Sequence, residues 1–287
     1  IFSPDCGEFL EREKRSIMLI TSVKNPKIKR VCALRERRER DREGVTVLEG
    51  YRELSRAMDA GVKLTEVYHC PAFYLGEHEG ELIARAEKQG AEIYETAPEA
   101  LSRMAYRDRP EGLIALAVMR HKGLEEMPVL PNGLYLVAET IEKPGNLGSM
   151  LRSADAVGAT GMIVCNRQTD VFNPNCIRAS TGAIFSVPLA ETSSEEAVEW
   201  FRKNGILTLA ASPHSKEVYT DVDMTRGIAI VVGAEQYGLT EYWMKNADIG
   251  VVIPMLGRMD SLNVATAATI LLYEAARQRK WTASRMG

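Results

Sequence analysis

Five polar side chains sit where their types and spacing could do chemistry. Asn146 and Arg152 bracket the segment Asn146-Leu-Gly-Ser-Met-Leu-Arg152. Glu235 is the acid between the glycines of Val232-Gly-Ala-Glu-Gln-Tyr-Gly-Leu239. Ser261 and Asn263 close Ile253-Pro-Met-Leu-Gly-Arg-Met-Asp-Ser-Leu-Asn263. A guanidinium is too weak an acid to begin as a neutral base, but as a cation it can orient a hydroxyl and stabilise a developing oxyanion. A carboxylate and two amides can brace one another in a polar network.

The local patterns suggest how each is held. Pro144-Gly145-Asn146 reads as a turn with Asn146 capping a helix over 147–157, whose apolar stripe is Leu147, Met150, Leu151 and Ala154. Gly148 and Arg152 share a different face, and a missing side chain one turn before an arginine leaves room for a phosphate or ribose. Gly233 follows the apolar run Ile228–Val232 and would let a ligand approach the main chain, while Gly238 permits a tight turn. Ser261 reads as the N-cap of a helix over 261–280 that is rich in small residues. Asn263 has poor helix propensity and four hydrogen-bonding sites, so its place in a first turn lacks a structural explanation.

The elements that must position these residues alternate strand and helix. Strands are expected at 134–138, 161–165, 206–211, 228–232 and 251–253, with helices over 147–157, 195–204 and 261–280. Repeated βα units with apolar strands predict a parallel sheet covered on both faces, and ligands of such sheets bind beyond the strand ends. Upstream, strands at 46–49, 67–70, 93–94 and 113–118 with helices over 51–60 and 81–89 predict a smaller α/β domain. We expect an N-terminal extension over 1–17, a first domain over 18–118, a linker rich in Gly and Pro over 119–133 and a second domain over 134–283.

Composition narrows the function. The 287 residues are 45% hydrophobic, enough for substantial cores, and the formal charge of −3 provides no global basic field. Positive charge is instead concentrated between residues 22 and 43, read as a single helix with one apolar edge. Lys27, Lys29, Arg37 and Arg38 are its candidate nucleic-acid contacts. Cys6, Cys32, Cys70, Cys165 and Cys176 form no C-x-x-C pair or His/Cys cluster, which argues against structural zinc and a disulfide framework; no metal is expected. The apolar runs are too interrupted to span a bilayer, and the start lacks the order of a signal peptide, so a cytoplasmic protein without membrane partners is expected. A nicotinamide oxidoreductase would need a glycine fingerprint after the first strand, and that is absent.

Taken in series, the three segments resemble the motifs of SpoU-type (TrmH-like) RNA 2′-O-ribose methyltransferases of the SPOUT superfamily. A fourth, Arg178-Ala-Ser180-Thr-Gly182-Ala183, matches the family too, so the resemblance covers residues 134–280. The basic start and Leu48-Glu-Gly50 resemble the RNA-binding domain, related to a ribosomal-protein fold, that precedes many such catalytic domains. The resemblance implies a methyl transfer from S-adenosylmethionine to a ribose 2′-hydroxyl of structured RNA by a homodimer; the substantial N-terminal domain favours ribosomal RNA, with transfer RNA as the runner-up. It also implies a deep trefoil knot, where pattern alone gives an unknotted doubly wound sheet. Arg152 would activate the hydroxyl, Asn146 would position the nucleotide or Arg152, and Glu235, Ser261 and Asn263 would support them. Ala210, Ala211, Gly233, Ile253 and Leu262 would hold the cofactor, and Arg178 and Ser180 would meet RNA. A non-catalytic RNA-binding or ribosome-assembly protein on the same fold is the alternative.

Overall fold

A computed structural model describes residues 18–282 of the chain. The expected extension over 1–17 and Cys6 lie outside the described residues.

The first part contains β1 (Met18–Ile20), α1 (Pro26–Ala33), α2 (Arg37–Glu43), β2 (Val45–Glu49), α3 (Tyr51–Asp59), β3 (Leu64–His69), α4 (Glu79–Lys88), β4 (Glu92–Thr96), α5 (Pro98–Met104) and β5 (Leu113–Val118). Its sheet has the order β1-β4-β3-β5-β2, with β5 antiparallel to both neighbours and the rest parallel. The basic stretch forms two helices rather than the single one expected. Asn25 caps the first through Lys27 N, and the chain turns extended at Glu36 before α2 begins; Gly44, at φ 67°, ends α2 in the left-handed conformation.

The second part contains β6 (Leu134–Glu139), α6 (Pro144–Ala156), β7 (Gly161–Cys165), α7 (Pro174–Ser180), α8 (Ala183–Ser186), β8 (Leu189–Thr192), α9 (Ser194–Lys203), β9 (Leu207–Ala211), β10 (Glu217–Val218), β11 (Ile228–Val232), α10 (Glu241–Asn246), β12 (Ile249–Val252) and α11 (Val264–Gln278). All seven strands are parallel, in the order β10-β12-β9-β11-β6-β7-β8. Alternation along the central strands explains the layers. Leu134, Leu136, Ala138, Ile228, Ile230 and Val232 join the core beneath α6 and α11, whereas Tyr135, Val137, Ala229 and Val231 face the core beneath α9 and α10. The parallel sheet covered on both faces is therefore present as expected.

The two parts are packed together. The core under α6 continues into Leu48, Leu54, Val67 and Leu113 of the first sheet and its helices. Across the seam, Arg40 is fully buried and its guanidinium donates to Asp170 at 2.7 and 3.1 Å, while Thr46 Oγ1 donates to the Phe172 carbonyl at 2.7 Å. The segment expected to be a linker is strapped down: Met127 is buried in the core under α9, and Tyr135 donates to the Pro128 carbonyl at 2.8 Å.

Candidate active site

Strand order places the site. The chain runs from β6 outward through β7 and β8, then crosses to the other side of the sheet, where β9 and β11 lie. Asn146 follows β6, Glu235 follows β11, and Ala210 and Ala211 end β9. The strands are parallel and adjacent, so these segments emerge at one edge, at the topological switch point where α/β sheets bind ligands. Ile253 follows β12 at the same edge.

Three of the five polar residues converge there. Asn146 Nδ2 donates to Glu235 Oε1 at 2.7 Å, Asn263 Nδ2 donates to the same oxygen at 2.6 Å, and Asn263 Nδ2 also reaches Asn146 Oδ1 at 3.2 Å. The other carboxylate oxygen, Oε2, is paired with Lys143 Nζ. The Lys143 ammonium, followed by the Asn146 amide, holds the Glu235 carboxyl below the usual carboxylate range. A single acid thus ties together the starts of two helices and the loop after β11.

The residues hold these positions differently from expectation. The helix α6 begins at Pro144 with Lys143 in the cap position, so Asn146 lies inside its first turn and is not the cap. Proline at the first helical position fits because its missing N–H would be unpaired there anyway. Asn263, not Ser261, caps α11: its Oδ1 accepts from Ala265 N at 3.0 Å and Thr266 N at 3.4 Å. One oxygen serves the helix and the amide nitrogen serves Glu235, which accounts for an asparagine at this place. Ser261 is exposed in the loop before the cap.

Two glycines also act otherwise than expected. A Cβ on Gly148 would stand 2.4 Å from the Cys176 carbonyl oxygen and 2.7 Å from the Ala179 Cβ; its bareness lets α6 lie against α7 and leaves no space for a phosphate. A Cβ on Gly233 would meet the Gly238 carbonyl at 2.3 Å, because the loop folds back on itself through the Ala234–Gly238 bridge. Gly238, at φ 68°, makes that turn as expected.

Arg152 is exposed on α6, and its side chain makes no hydrogen bond or ion pair with the described residues. Arg178 is exposed on α7, with Nη2 donating to Asn175 Oδ1 at 3.2 Å. Ser180 is fully buried and its hydroxyl donates to the Ile177 carbonyl at 2.7 Å, which removes it from the RNA-facing set: it belongs to the packing of α7. Ala210 is buried, Ala211 and Ile253 are partly buried, and Leu262 is exposed.

Sequence reasoning missed two participants. Lys143 has a signal in retrospect, since a cation at a helix N-terminus opposes the helix dipole and calls for a compensating anion. Glu139, fully buried at the end of β6, accepts from Thr240 N at 2.9 Å, Thr240 Oγ1 at 2.7 Å and Ser194 Oγ at 2.9 Å. It anchors the far end of the Glu235 loop. An acid ending an otherwise apolar strand was the available signal.

Both parts of the chain resemble known proteins. Residues 133–273 match the SpoU rRNA Methylase family, and residues 25–115 match an MRM3-like substrate binding domain. A 23S rRNA (uridine(2479)-2′-O)-methyltransferase of Streptomyces viridochromogenes is 33% identical over 253 residues, covering 86% of this chain and 87% of that protein. An RNA 2′-O ribose methyltransferase of known structure is 40% identical with a TM-score of 0.82, covering 92% of this chain and all of that one. The AdoMet-bound rRNA methyltransferase from Sinorhizobium meliloti superposes with a TM-score of 0.84 at 29% identity, over 91% of this chain and 98% of that one. A parallel-sheet domain with its polar network at the switch point, preceded by a substrate-binding domain, defines a two-domain RNA methylase. The chain belongs to the SpoU rRNA methylase family.

Proposed function

We propose that this protein is an S-adenosylmethionine-dependent methyltransferase that methylates a ribose 2′-hydroxyl of ribosomal RNA. The observation that carries the reading is the Asn146–Glu235–Asn263 network at the strand ends, with Arg152, unpaired among the described residues, on the same helix as Asn146.

The strand-end residues fit the cofactor. Ala211 and Gly233 bring main chain to the strand ends, with Ala210 buried behind them; Ile253 offers a partly buried apolar wall, and Leu262 is exposed beside the cap of α11. When bound, the cofactor supplies an electrophilic methyl group. The protein's own work is to present the nucleophile. A ribose hydroxyl is weakly nucleophilic, so Arg152, as a fixed cation, orients it and stabilises negative charge as it develops. Asn146, braced by Glu235 and Asn263, fixes the start of the helix from which Arg152 projects. Alignment of both reactants can itself contribute about 7–11 kcal/mol to lowering the barrier. Ser261, in the same exposed loop as Leu262, would face the nucleotide.

The reading extends to a homodimer, a knotted catalytic domain and a cytoplasmic location. Tyr237 and Leu256, large apolar side chains exposed beside the site, support a second subunit covering this edge. Buried, unpaired Cys70, Cys165 and Cys176 suit a reducing compartment. Among the described residues, no helix is long and apolar enough to cross a membrane.

The deciding experiment transfers label from S-adenosylmethionine to unmodified ribosomal and transfer RNA, beside Arg152→Ala. We expect a 2′-O-methylnucleoside in ribosomal RNA, and a fall of about 100- to 1,000-fold in the variant with cofactor binding kept. Label confined to transfer RNA would change the substrate. Absence of both transfer and cofactor binding would leave a non-catalytic RNA-binding protein.

A further inference from the structure

Folding pairs five of the nine basic residues between 22 and 43 with carboxylates and leaves Lys24, Lys29 and Arg38 exposed without a salt bridge among the described residues. Lys27 Nζ lies 3.7 Å from Glu66 and 3.5 Å from Glu92, and Arg30 reaches Glu43 and Glu66 at 2.6 Å each. Arg37 pairs with Asp41 at 3.4 Å, Arg42 pairs with Glu39 at 2.5 Å, and Arg40 is buried on Asp170. Arg35 is different. Its Nη2 donates to the carbonyls of Arg103 at 3.3 Å and Ala105 at 2.8 Å, and its guanidinium lies 5.2 Å over the ring of Tyr106. Carbonyls orient a guanidinium without cancelling its charge.

Arg35 and Tyr106 line a cleft of about 510 Å³ at the seam between the two domains, whose catalytic-domain side is supplied by Asn175 in α7. Arg178, held by Asn175, shares a small void with Tyr106 and Glu49, and its charge opposes the upward push that burial gives the Glu49 carboxyl. Neither Arg35 nor Arg178 forms a salt bridge among the described residues. Arg107 differs again, since Glu53 at 3.0 Å and Glu111 take up its charge, and Asp108 adds a carboxylate to the cleft. The cleft itself therefore presents one oriented cation, Arg35, and Arg178 flanks it across Asn175 from the other side of the seam.

We propose that a short run of RNA backbone crosses this seam, with Arg35 gripping one phosphate in the cleft from the substrate domain and Arg178 another beside it from the catalytic domain. The proposal rests on the methyltransferase reading, and it names where the substrate crosses between domains. Two facts favour RNA. Exposed guanidiniums without a salt bridge suit phosphate oxygens, and α7, which carries Asn175 and Arg178, packs directly on the helix bearing Asn146 and Arg152. A strand leaving the cleft along α7 thus arrives beside the reactive arginine.

The test measures binding of the full-length protein to a protein-free 23S ribosomal RNA transcript across a salt titration. The proteins compared are wild type, Arg35→Gln, Arg178→Gln, the double variant and Lys203→Gln on the remote α9. Each cleft substitution is expected to weaken binding about threefold to tenfold and to lower the slope of log affinity against log salt by about 0.7–0.9, nearly additively in the double variant. Lys203→Gln and cofactor affinity should not move. Among the described residues the Arg178 side chain donates only to Asn175, so its variant reads the crossing even if Arg35→Gln disturbs the 103–105 turn. Wild-type affinity and slope in Arg178→Gln and in the double variant overturn the proposal. If wild type binds no cofactor and transfers no methyl group while the slopes still fall, the methyltransferase reading fails and the cleft stands.

Discussion

Glu235 has both carboxylate oxygens committed, one to two asparagine amides and one to Lys143. Its folded pKa is depressed, so the network is intact above that pKa and is lost as the pH falls through it. Lys143 is the largest cause, so Lys143→Met should raise the Glu235 pKa toward the ordinary glutamate value, and Lys143→Arg should restore it. Carboxyl NMR titration reads this directly, and an unchanged titration in the methionine variant would remove Lys143 from the site. Asn263 allows its two duties to be separated. Aspartate caps a helix as well as asparagine does, but it has no amide to give Glu235 and sets a second carboxylate against the first. Asn263→Asp should lower the unfolding midpoint less than Asn263→Ala, which loses the cap as well, and lose about ten- to 100-fold in methyl transfer, the worth of one hydrogen bond to a charged group. Wild-type methyl transfer in this variant would make Asn263 a cap alone. The types of these residues were legible in the sequence, because an amide in a first turn and an acid between glycines lack ordinary explanations. Lys143 was not, since its partner lies 92 positions away.

Helices and strands with long apolar runs were readable from the chain, and those shaped by their neighbours were not. A continuous apolar run needs no partner to be understood: the strands Gly161–Cys165 and Ile228–Val232 lie where their hydrophobicity puts them. By contrast β8, α8 and α10 are four to six residues long and carry too little pattern to stand out. Cap positions failed for a related reason: Ser261 and Asn263 are both good caps, and tertiary contacts to Glu235 select the second. Gly148 shows the same limit. Its sequence neighbourhood suggests ligand space, whereas the close approach comes from α7, a separate helix further along the chain. We therefore expect Gly148→Ala to cost about 1–3 kcal/mol, the usual penalty of overpacking, measured as a lower urea midpoint. Because the wedge would shift the helix carrying both Asn146 and Arg152, methyl transfer should fall even where the protein remains folded. Wild-type stability would mean that α7 yields without strain.

At the scale of the molecule, charge balance alone said that any RNA contact must be local. What the sequence could not reveal is which members of the basic stretch folding pairs within and between domains: five of the nine, with Lys24, Lys29, Arg35 and Arg38 left without a salt bridge among the described residues. Arg40 is the clearest case. It lies in an exposed-looking run of charges, yet it is 1% exposed and joined to Asp170 of the other domain, with Nη1 donating to the carbonyls of Leu34 and Arg35 at 2.8 Å. Asp170 is completed by Phe172 N at 2.9 Å. A buried pair satisfied on all sides gives modest net stability, but removing one partner strands a desolvated charge, at a cost of about 3–5 kcal/mol. Arg40→Met should destabilise the protein by that amount in chemical denaturation. Arg40→Met with Asp170→Asn should recover part of the loss, because the amide oxygen can still accept from Phe172 N while no charge is left unpaired. The clamp also predicts how the protein unfolds. Trp200, Trp243 and Trp281 lie in the catalytic domain, so tryptophan fluorescence follows that domain, whereas circular dichroism follows both. In wild type the two signals should coincide, as the continuous core requires; in Arg40→Met they should separate, with circular dichroism changing first. Coincident transitions at the wild-type midpoint in Arg40→Met would mean that the apolar seam alone joins the domains and that Arg40 is dispensable.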